Sequence, residues 1–164
     1  MITESEVEEF HILGNIPHRE ITKTQADRWQ QLYEKVYEKQ VLLTKNELRT
    51  RIKQKPLNRK TIEECFQKIS KVHKNNYGSF CGFDLYHYPN RVYKLDINFS
   101  SKDGVGIEII HEFCHVLYED GNSFKNGGPT EYIIDEYARF ILTKDPELPD
   151  YILKRLNELG KFVE

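Results

Sequence analysis

The chain has 164 residues, of which 38% are hydrophobic and 30% charged, and its formal net charge at pH 7 is −2. This length and composition fit one globular domain, or a small domain with a helical segment, that can bury a hydrophobic core. The near-neutral charge provides no global field for nucleic acid, and no apolar run approaches the ~18 residues of a transmembrane helix. An acidic N-terminus and three cysteines without a CxxC pair argue against a secretory signal and a disulfide scaffold. The sequence therefore predicts a soluble, cytoplasmic protein with reduced thiols.

The first 76 residues are predicted to be mainly helical. The first ten or so are acidic with little to bury, which indicates a loose arm. From Thr24 onward apolar residues recur at helical spacing, and this helix could continue through a basic stretch that ends before Pro56. A second helix is predicted from Thr61, with an apolar stripe that extends to Val72. We interpret residues 1–76 as an N-terminal helical segment, with a regulatory role as one interpretation.

Two β-like runs follow, at residues 79–88 and 91–100, joined across Pro89-Asn90. In the second run, apolar and polar residues alternate, as in a strand with one buried face. The apolar members of this alternation are Tyr93, Leu95, Ile97 and Phe99. These runs predict a hairpin or a small, mostly antiparallel sheet.

Helical spacing returns after residue 104 and continues to Gly121. A glycine-rich loop then leads to Pro129, which is well placed in the first turn of a helix that runs to about Leu142. A last amphipathic helix is predicted over residues 151–159. The order of helices, a small sheet and further helices predicts an α+β fold, in which residues 77–164 form a compact core.

One motif points to a specific chemistry. Residues 111–115 are HEFCH, an HExxH pattern, and the apolar period around them independently predicts a helix. On a helix, His111 and His115 lie one turn apart on the same side, so both imidazoles can bind one metal ion. Glu112 lies about 100° around the axis, where its carboxylate can reach a metal-bound water. The spacing therefore favours a metal-dependent hydrolase.

A catalytic metal site needs a third protein ligand besides the two histidines. The next predicted helix offers three acids, Glu131, Asp135 and Glu136. Glu136 shares a face with Ile133 and Phe140, so we expect its side chain to approach the core between the helices. A second arrangement remains open, in which Glu131 binds the metal and Asp135 orients a histidine. No further histidine follows His115, which excludes the pattern HExxHxxGxxH.

Three segments within residues 96–142 carry a family resemblance. The extended run is DINFSS, the helix is IEIIHEFCHVLYE, and the later segment is EYARFIL, with an acid four residues before an aromatic residue. This stretch resembles the HExxH-plus-glutamate peptidases, and within them the compact ImmA/IrrE-type metallopeptidases. The resemblance implies a zincin-like fold with an HExxH helix and a glutamate-bearing helix. It also implies a zinc metalloendopeptidase that cleaves a peptide or protein substrate, with a regulatory protein as one candidate.

Carried over by position, the resemblance makes His111, His115 and Glu136 the Zn²⁺ ligands and Glu112 the general base. Two positions depart from the family pattern. Ile134 stands where the family often has another acid, which keeps Glu131 open as the ligand. The second departure is a cysteine in place of the small residue that commonly precedes the second histidine.

For other parts of the catalytic cleft, the sequence offers candidates without choosing between them. The donor that stabilises the oxyanion could be Tyr132, Tyr137 or His87. The strand at residues 92–99 could line the cleft and pair with an extended substrate as an edge strand. Cys81 is a weaker candidate for a ligand or a latency switch.

A second class of function is a binding module. Residues 45–74 are rich in lysine and arginine, and a basic helical segment can follow phosphates. No aromatic platform accompanies this segment, so the sequence favours a solvated helix face over a nucleic-acid contact. A third interpretation is a zinc-binding module that is latent or non-catalytic. The sequence contains no signal for oligomeric state and none that favours a membrane.

Overall fold

The computed structural model describes residues 2–37, 43–84, 91–119 and 130–163. The chain divides into two compact units, one of Met1–Gln40 with Leu85–Asn90 and one of Val41–Asp84 with Arg91–Glu164. Within the described ranges, every helix is too short or too polar to traverse a lipid bilayer.

The first unit contains helix α1 (Glu4–Gly14) and helix α2 (Lys23–Tyr37). The expectation of a loose acidic arm is therefore wrong. Thr3 caps α1 through a capping box in which its side chain and that of Glu6 each accept a backbone hydrogen bond from the other residue. The acidic residues that suggested an unstructured arm belong to this helix.

The acids of α1 are balanced by bases of α2. Glu9 Oε1 lies 2.8 Å from a guanidinium nitrogen of Arg28, and Glu6 Oε2 lies 2.6 Å from Lys35 Nζ. These pairs join residues 19 and 29 positions apart, so the first ten residues alone do not reveal them.

The second unit contains the remaining elements, which lie in one hydrophobic core. They are α3 (Lys45–Gln54), α4 (Arg59–Gln67), β1 (Ile69–Asn75), β2 (Phe80–Phe83), β3 (Tyr93–Asn98), α5 (Val105–Tyr118), α6 (Glu131–Lys144), α7 (Leu148–Glu158) and β4 (Phe162–Val163). Across the described residues, the protein thus has seven helices and a four-stranded sheet, and the predicted α+β class is confirmed.

The sheet is mixed, with strand order β2-β3-β1-β4. Strand β1 pairs in parallel with both β3 and β4, whereas β2 pairs antiparallel with β3. The prediction of a mostly antiparallel sheet is therefore wrong, since two of the three strand pairs are parallel. The antiparallel pairing of the two runs recognised in the sequence is present between β2 and β3.

The error arises mainly at β1, which the sequence placed on a helix. Ile69 pairs with Tyr93 and Lys71 with Lys94, so Ser70 is an extra residue in β1 at a register shift. Ile69 and Val72 are consequently both buried although they are three positions apart. A bulged strand can thus reproduce the spacing of a helical stripe.

The predicted boundary after residue 76 falls between β1 and β2 of this one sheet. Helices α3 and α4, which were assigned to the N-terminal segment, contribute Leu48, Ile62 and Phe66 to the core of the second unit. The division of the structure lies near residue 40 instead.

Helix α5 is the central helix of the second unit and packs against α3, α4, α6, α7, β2 and β3. Its side chains from Ile109 to Tyr118 are buried, apart from the partly buried His111. The ring of Phe113 meets that of Phe66 edge to face, with ring centroids 5.7 Å apart. This packing holds the helix that carries HExxH from several sides.

Candidate metal centre

Three potential metal ligands converge between α5 and α6. Glu131, the first residue of α6, places Oε2 2.9 Å from His111 Nε2 and Oε1 3.0 Å from His115 Nε2. Each of the three residues offers a ligand atom within 4.8 Å of the other two. This arrangement could hold a metal ion, and it brings together the two histidines as the HExxH spacing predicted.

Glu136 does not lie in this cluster. Its side chain is exposed on α6, and Phe140 of the same helix is 49% exposed. The expectation that Glu136 approaches the core is therefore wrong. Glu136 is five positions after Glu131, which corresponds to about 140° around a helix axis. With Glu131 facing the histidines, Glu136 points away, and the structure supports the alternative in which Glu131 is the third ligand.

The charges of the cluster favour an ionised carboxylate. Burial by itself would raise the pKa of Glu131, but the imidazoles of His111 and His115 outweigh it and lower that pKa. Burial would also lower the pKa of His111, but its hydrogen bond with Glu131 and the nearby charge of Glu112 raise it overall. The Glu131 carboxylate and the His111 imidazole thus stabilise each other's charged forms.

Several buried polar atoms in this region have no hydrogen-bond partner among the described residues. They include both ring nitrogens of His115 and Oε2 of Glu112. His115 is only 2% exposed, and its Nε2 lies close to Glu131 without the alignment of a hydrogen bond. Unpaired buried nitrogen and oxygen atoms are costly, and a bound cation is one way to satisfy them. The donor set therefore fits a metal ion.

Asp135 lies one helical turn beyond Glu131 and approaches the same cluster. Its Oδ1 is 3.9 Å from Nδ1 of His111, which is within ion-pair range but longer than a hydrogen bond. Arg139 donates a hydrogen bond of 3.0 Å to Oδ2 of the same carboxylate. Asp135 is thus placed beside a ligand rather than among the ligands, as the second sequence-based arrangement predicted.

Glu112 is buried next to the histidines, with only 5% of its surface exposed. Burial raises the pKa of Glu112, whereas the nearby imidazoles of His115 and His111 lower it, and the net shift is upward. Burial also raises the pKa of Cys81 in β2, with the charge of Glu112 as a smaller cause. Strand β2 therefore passes close to the candidate base.

The strand predicted to bind an extended substrate is in the wrong position for that role. Strand β3 lies inside the sheet, between β2 and β1, so both of its edges are occupied. Among the described strands, β2 and β4 form the edges of the sheet. Since β2 packs against α5, it is the edge strand next to the candidate metal centre.

The three candidate oxyanion donors differ in their surroundings. The hydroxyl of Tyr137 accepts a 2.8 Å hydrogen bond from the backbone N–H of Leu57, which commits it to the link between α3 and α4. Tyr132 is 46% exposed and directly follows Glu131. His87 lies outside the described residues.

The basic segment at residues 45–74 is partly committed to contacts within the chain. Arg51 donates a 2.7 Å hydrogen bond to the backbone oxygen of Tyr118. Other pairs are Lys55 with Glu64, Arg59 with Asp145 and Lys68 with Glu119. Several of the basic residues therefore have a partner within the chain, and no nucleic acid is needed to explain them.

Comparisons of the chain with protein-family models, with curated proteins and with solved structures found no match. The function is therefore inferred from the residues of the candidate centre.

Proposed function

We propose that this protein is a zinc-dependent peptidase with a zincin-like arrangement of its two site helices. In this proposal His111, His115 and Glu131 bind the metal and Glu112 is the general base. The observation that carries it is the convergence of both HExxH imidazoles on the Glu131 carboxylate, with the buried Glu112 beside them.

Zinc fits the donor set best. Two imidazole nitrogens and one carboxylate oxygen are the protein ligands of many catalytic zinc sites, which keep a further position open. Ligand atoms about 2.0–2.2 Å from a tetrahedral ion lie about 3.3–3.6 Å from one another. The observed separations of 2.9 and 3.0 Å, from each histidine to a different oxygen of Glu131, are shorter than this by less than about 1 Å.

The chain's own residues would then carry out the proton transfers. Zinc bound in such a site lowers the pKa of its water toward about 7. Glu112 would accept a proton from the attacking water and deliver it to the leaving amine. We assign the oxyanion donor to Tyr132, since the hydroxyl of Tyr137 already accepts a hydrogen bond from the N–H of Leu57.

Substrate binding is assigned to the sheet edge rather than to β3. An extended peptide could pair with the backbone of β2 and thereby pass along the helix that carries Glu112. The family resemblance of residues 96–142 favours a cytoplasmic peptidase whose substrate is a regulatory protein.

The decisive experiment replaces Glu112 by Gln in the zinc-loaded protein. We expect zinc to stay bound while cleavage of a mixed peptide pool falls by at least about 10²-fold, because a general base contributes 10²–10⁴. Glu108→Gln is the matched control, since it makes the same change one turn earlier on α5 and should retain activity. Full activity of the Glu112→Gln variant would refute the mechanism.

The alternative is a module that binds zinc but is latent or non-catalytic. Stoichiometric zinc in the wild-type protein without cleavage of any pooled peptide would favour it. Arg51, Lys55 and Arg59 have partners within the chain, which argues against a nucleic-acid contact through residues 45–74. We therefore expect no DNA binding that depends on salt concentration.

A further inference from the structure

A positive charge contacts the residue that follows the candidate ligand Glu131 and has no acidic partner among the described residues. Lys45, the first residue of α3, places Nζ 5.2 Å from the centroid of the Tyr132 ring. Tyr132 directly follows Glu131, so their Cα atoms are about 3.8 Å apart. The contact therefore joins the first turn of α3 to the first turn of α6, which also carries Glu131.

The other charged groups described around the centre are acids or are already paired. Glu112, Glu131 and Asp135 are negative when ionised, and Asp135 is bound by Arg139. Arg139 also lies 3.6 Å from Asp103, which leaves its guanidinium shared between two carboxylates. Lys45 differs from it because its side chain is exposed and contacts only an aromatic face in the described part of the chain.

An aromatic face orients an ammonium group without neutralising it. The ring of Tyr132 limits the positions of a long, flexible side chain while leaving its donors available to a ligand. A carboxylate is the natural partner for such a group, and the pairing would be strongest where the approach of substrate excludes water.

We propose that Lys45, positioned by Tyr132, is a specificity residue that binds a carboxylate of the peptide substrate. The carboxylate could be an aspartate or glutamate side chain or the free C-terminus, since both present the same chemistry to the ammonium group. This inference rests on the proposed peptidase function for its biological meaning, although the binding preference itself does not require catalysis.

The test measures peptide binding by the full-length Glu112→Gln protein, with and without added zinc. Two pools of peptides are blocked at both ends and differ only in Glu or Gln at one central position. At low salt we expect the Glu pool to bind about fivefold more tightly, which corresponds to a partly exposed ion pair. Added salt should reduce this preference.

Substitutions on α3 provide the controls. Lys45→Met should abolish the preference and Lys45→Arg should retain it. Lys53→Met removes an exposed lysine about 12 Å further along the same helix and should leave the preference intact. Tyr132→Phe should also preserve it, because the ring remains, even if the loss of the hydroxyl lowers turnover.

Peptides whose only carboxylate is the free C-terminus, compared with their amides, identify the source of the charge. A preference confined to either peptide set supports the proposal and names the group that is bound. Equal binding of acidic and neutral peptides by the Glu112→Gln protein that retains Lys45 would overturn the proposal. Loss of the preference in Lys53→Met to the same extent as in Lys45→Met would also overturn it. Cleavage without a Lys45-dependent preference would refute this inference alone, whereas a preference without cleavage would refute only the peptidase function.

Discussion

Glu131 Oε2 lies 2.9 Å from Nε2 of His111, although the two residues are 20 positions apart in the chain. The other oxygen of the same carboxylate lies 3.0 Å from Nε2 of His115. One side chain of α6 thus faces two successive turns of α5. The packing of these helices brings the three donors together, and donors held by rigid elements favour binding of a metal.

Replacing Glu131 by Ala should remove the metal, whereas Glu136→Ala should retain it. Glu131 is the acid that faces both histidines, and Glu136 is exposed on α6. Loss of a ligand should weaken zinc binding by more than about 100-fold, since loss of a group that merely orients a ligand already costs 10–100-fold. Metal analysis after chelator competition measures the difference. Stoichiometric metal in Glu131→Ala would exclude this residue as a ligand.

Asp135→Asn should weaken zinc binding by about tenfold without abolishing it, because Asp135 lies beside His111 rather than among the ligands. The zinc affinity can be obtained from competition with a chromophoric chelator. Asp103→Asn is the matched control, since Asp103 also approaches Arg139. An equal effect of both substitutions would assign the loss to Arg139 and not to the orientation of His111.

The bridge between α4 and α7 should make stability depend on acid pH. Glu63 accepts hydrogen bonds from Arg155 and from the Tyr151 hydroxyl, which lower its pKa below the ordinary value of 4.5. Because the folded pKa is depressed, the stabilisation is complete above about 4.5 and is lost as the pH falls through the folded value.

Urea unfolding of the wild type and of Glu63→Gln measures this contribution. The side chain is partly exposed, so we expect a difference of about 1 kcal/mol or less at pH 7. The difference should vanish at acid pH. Glu136→Gln, an exposed change on α6, is the control for the loss of one carboxylate. A difference in the free energy of unfolding between wild type and Glu63→Gln that persists at acid pH would contradict this role of Glu63.

Phe113→Ala should lower the free energy of unfolding by about 3–5 kcal/mol, because a fully buried ring is replaced by a cavity. The ring also packs edge to face on Phe66. Phe140→Ala, which truncates a half-exposed ring on α6, should cost much less. Urea denaturation followed by circular dichroism compares the two, and similar losses would show that α5 is not the centre of the core.

The three thiols should be unreactive in the folded protein. Burial raises the pKa of Cys65 to about 12 and also raises the pKa of Cys81 and Cys114. Titration with a disulfide reagent at pH 8 should therefore detect no fast-reacting thiol before urea is added and three afterwards. One fast equivalent in the native protein would instead indicate an accessible cysteine and reopen a latency role for Cys81.

Local patterns in the chain were sufficient to predict the helix that carries HExxH and the α+β class. The apolar period around residues 105–118 is a property of neighbouring residues, and the i, i+4 spacing of the two histidines follows from helix geometry alone. The antiparallel pairing of β2 with β3 was likewise visible as two successive β-like runs.

The remaining features depend on contacts between residues distant in sequence. Strand β1 escaped recognition because its bulge at Ser70 gives buried residues the spacing of a helix, and its parallel pairing with β3 and β4 leaves no local signature. Both Glu131 and Glu136 lie on the helix that follows the motif, and only the rotation of α6 against α5 selects between them. A single sequence records the period of each helix but not the angle at which two helices meet, and that angle places Glu131 against the histidines.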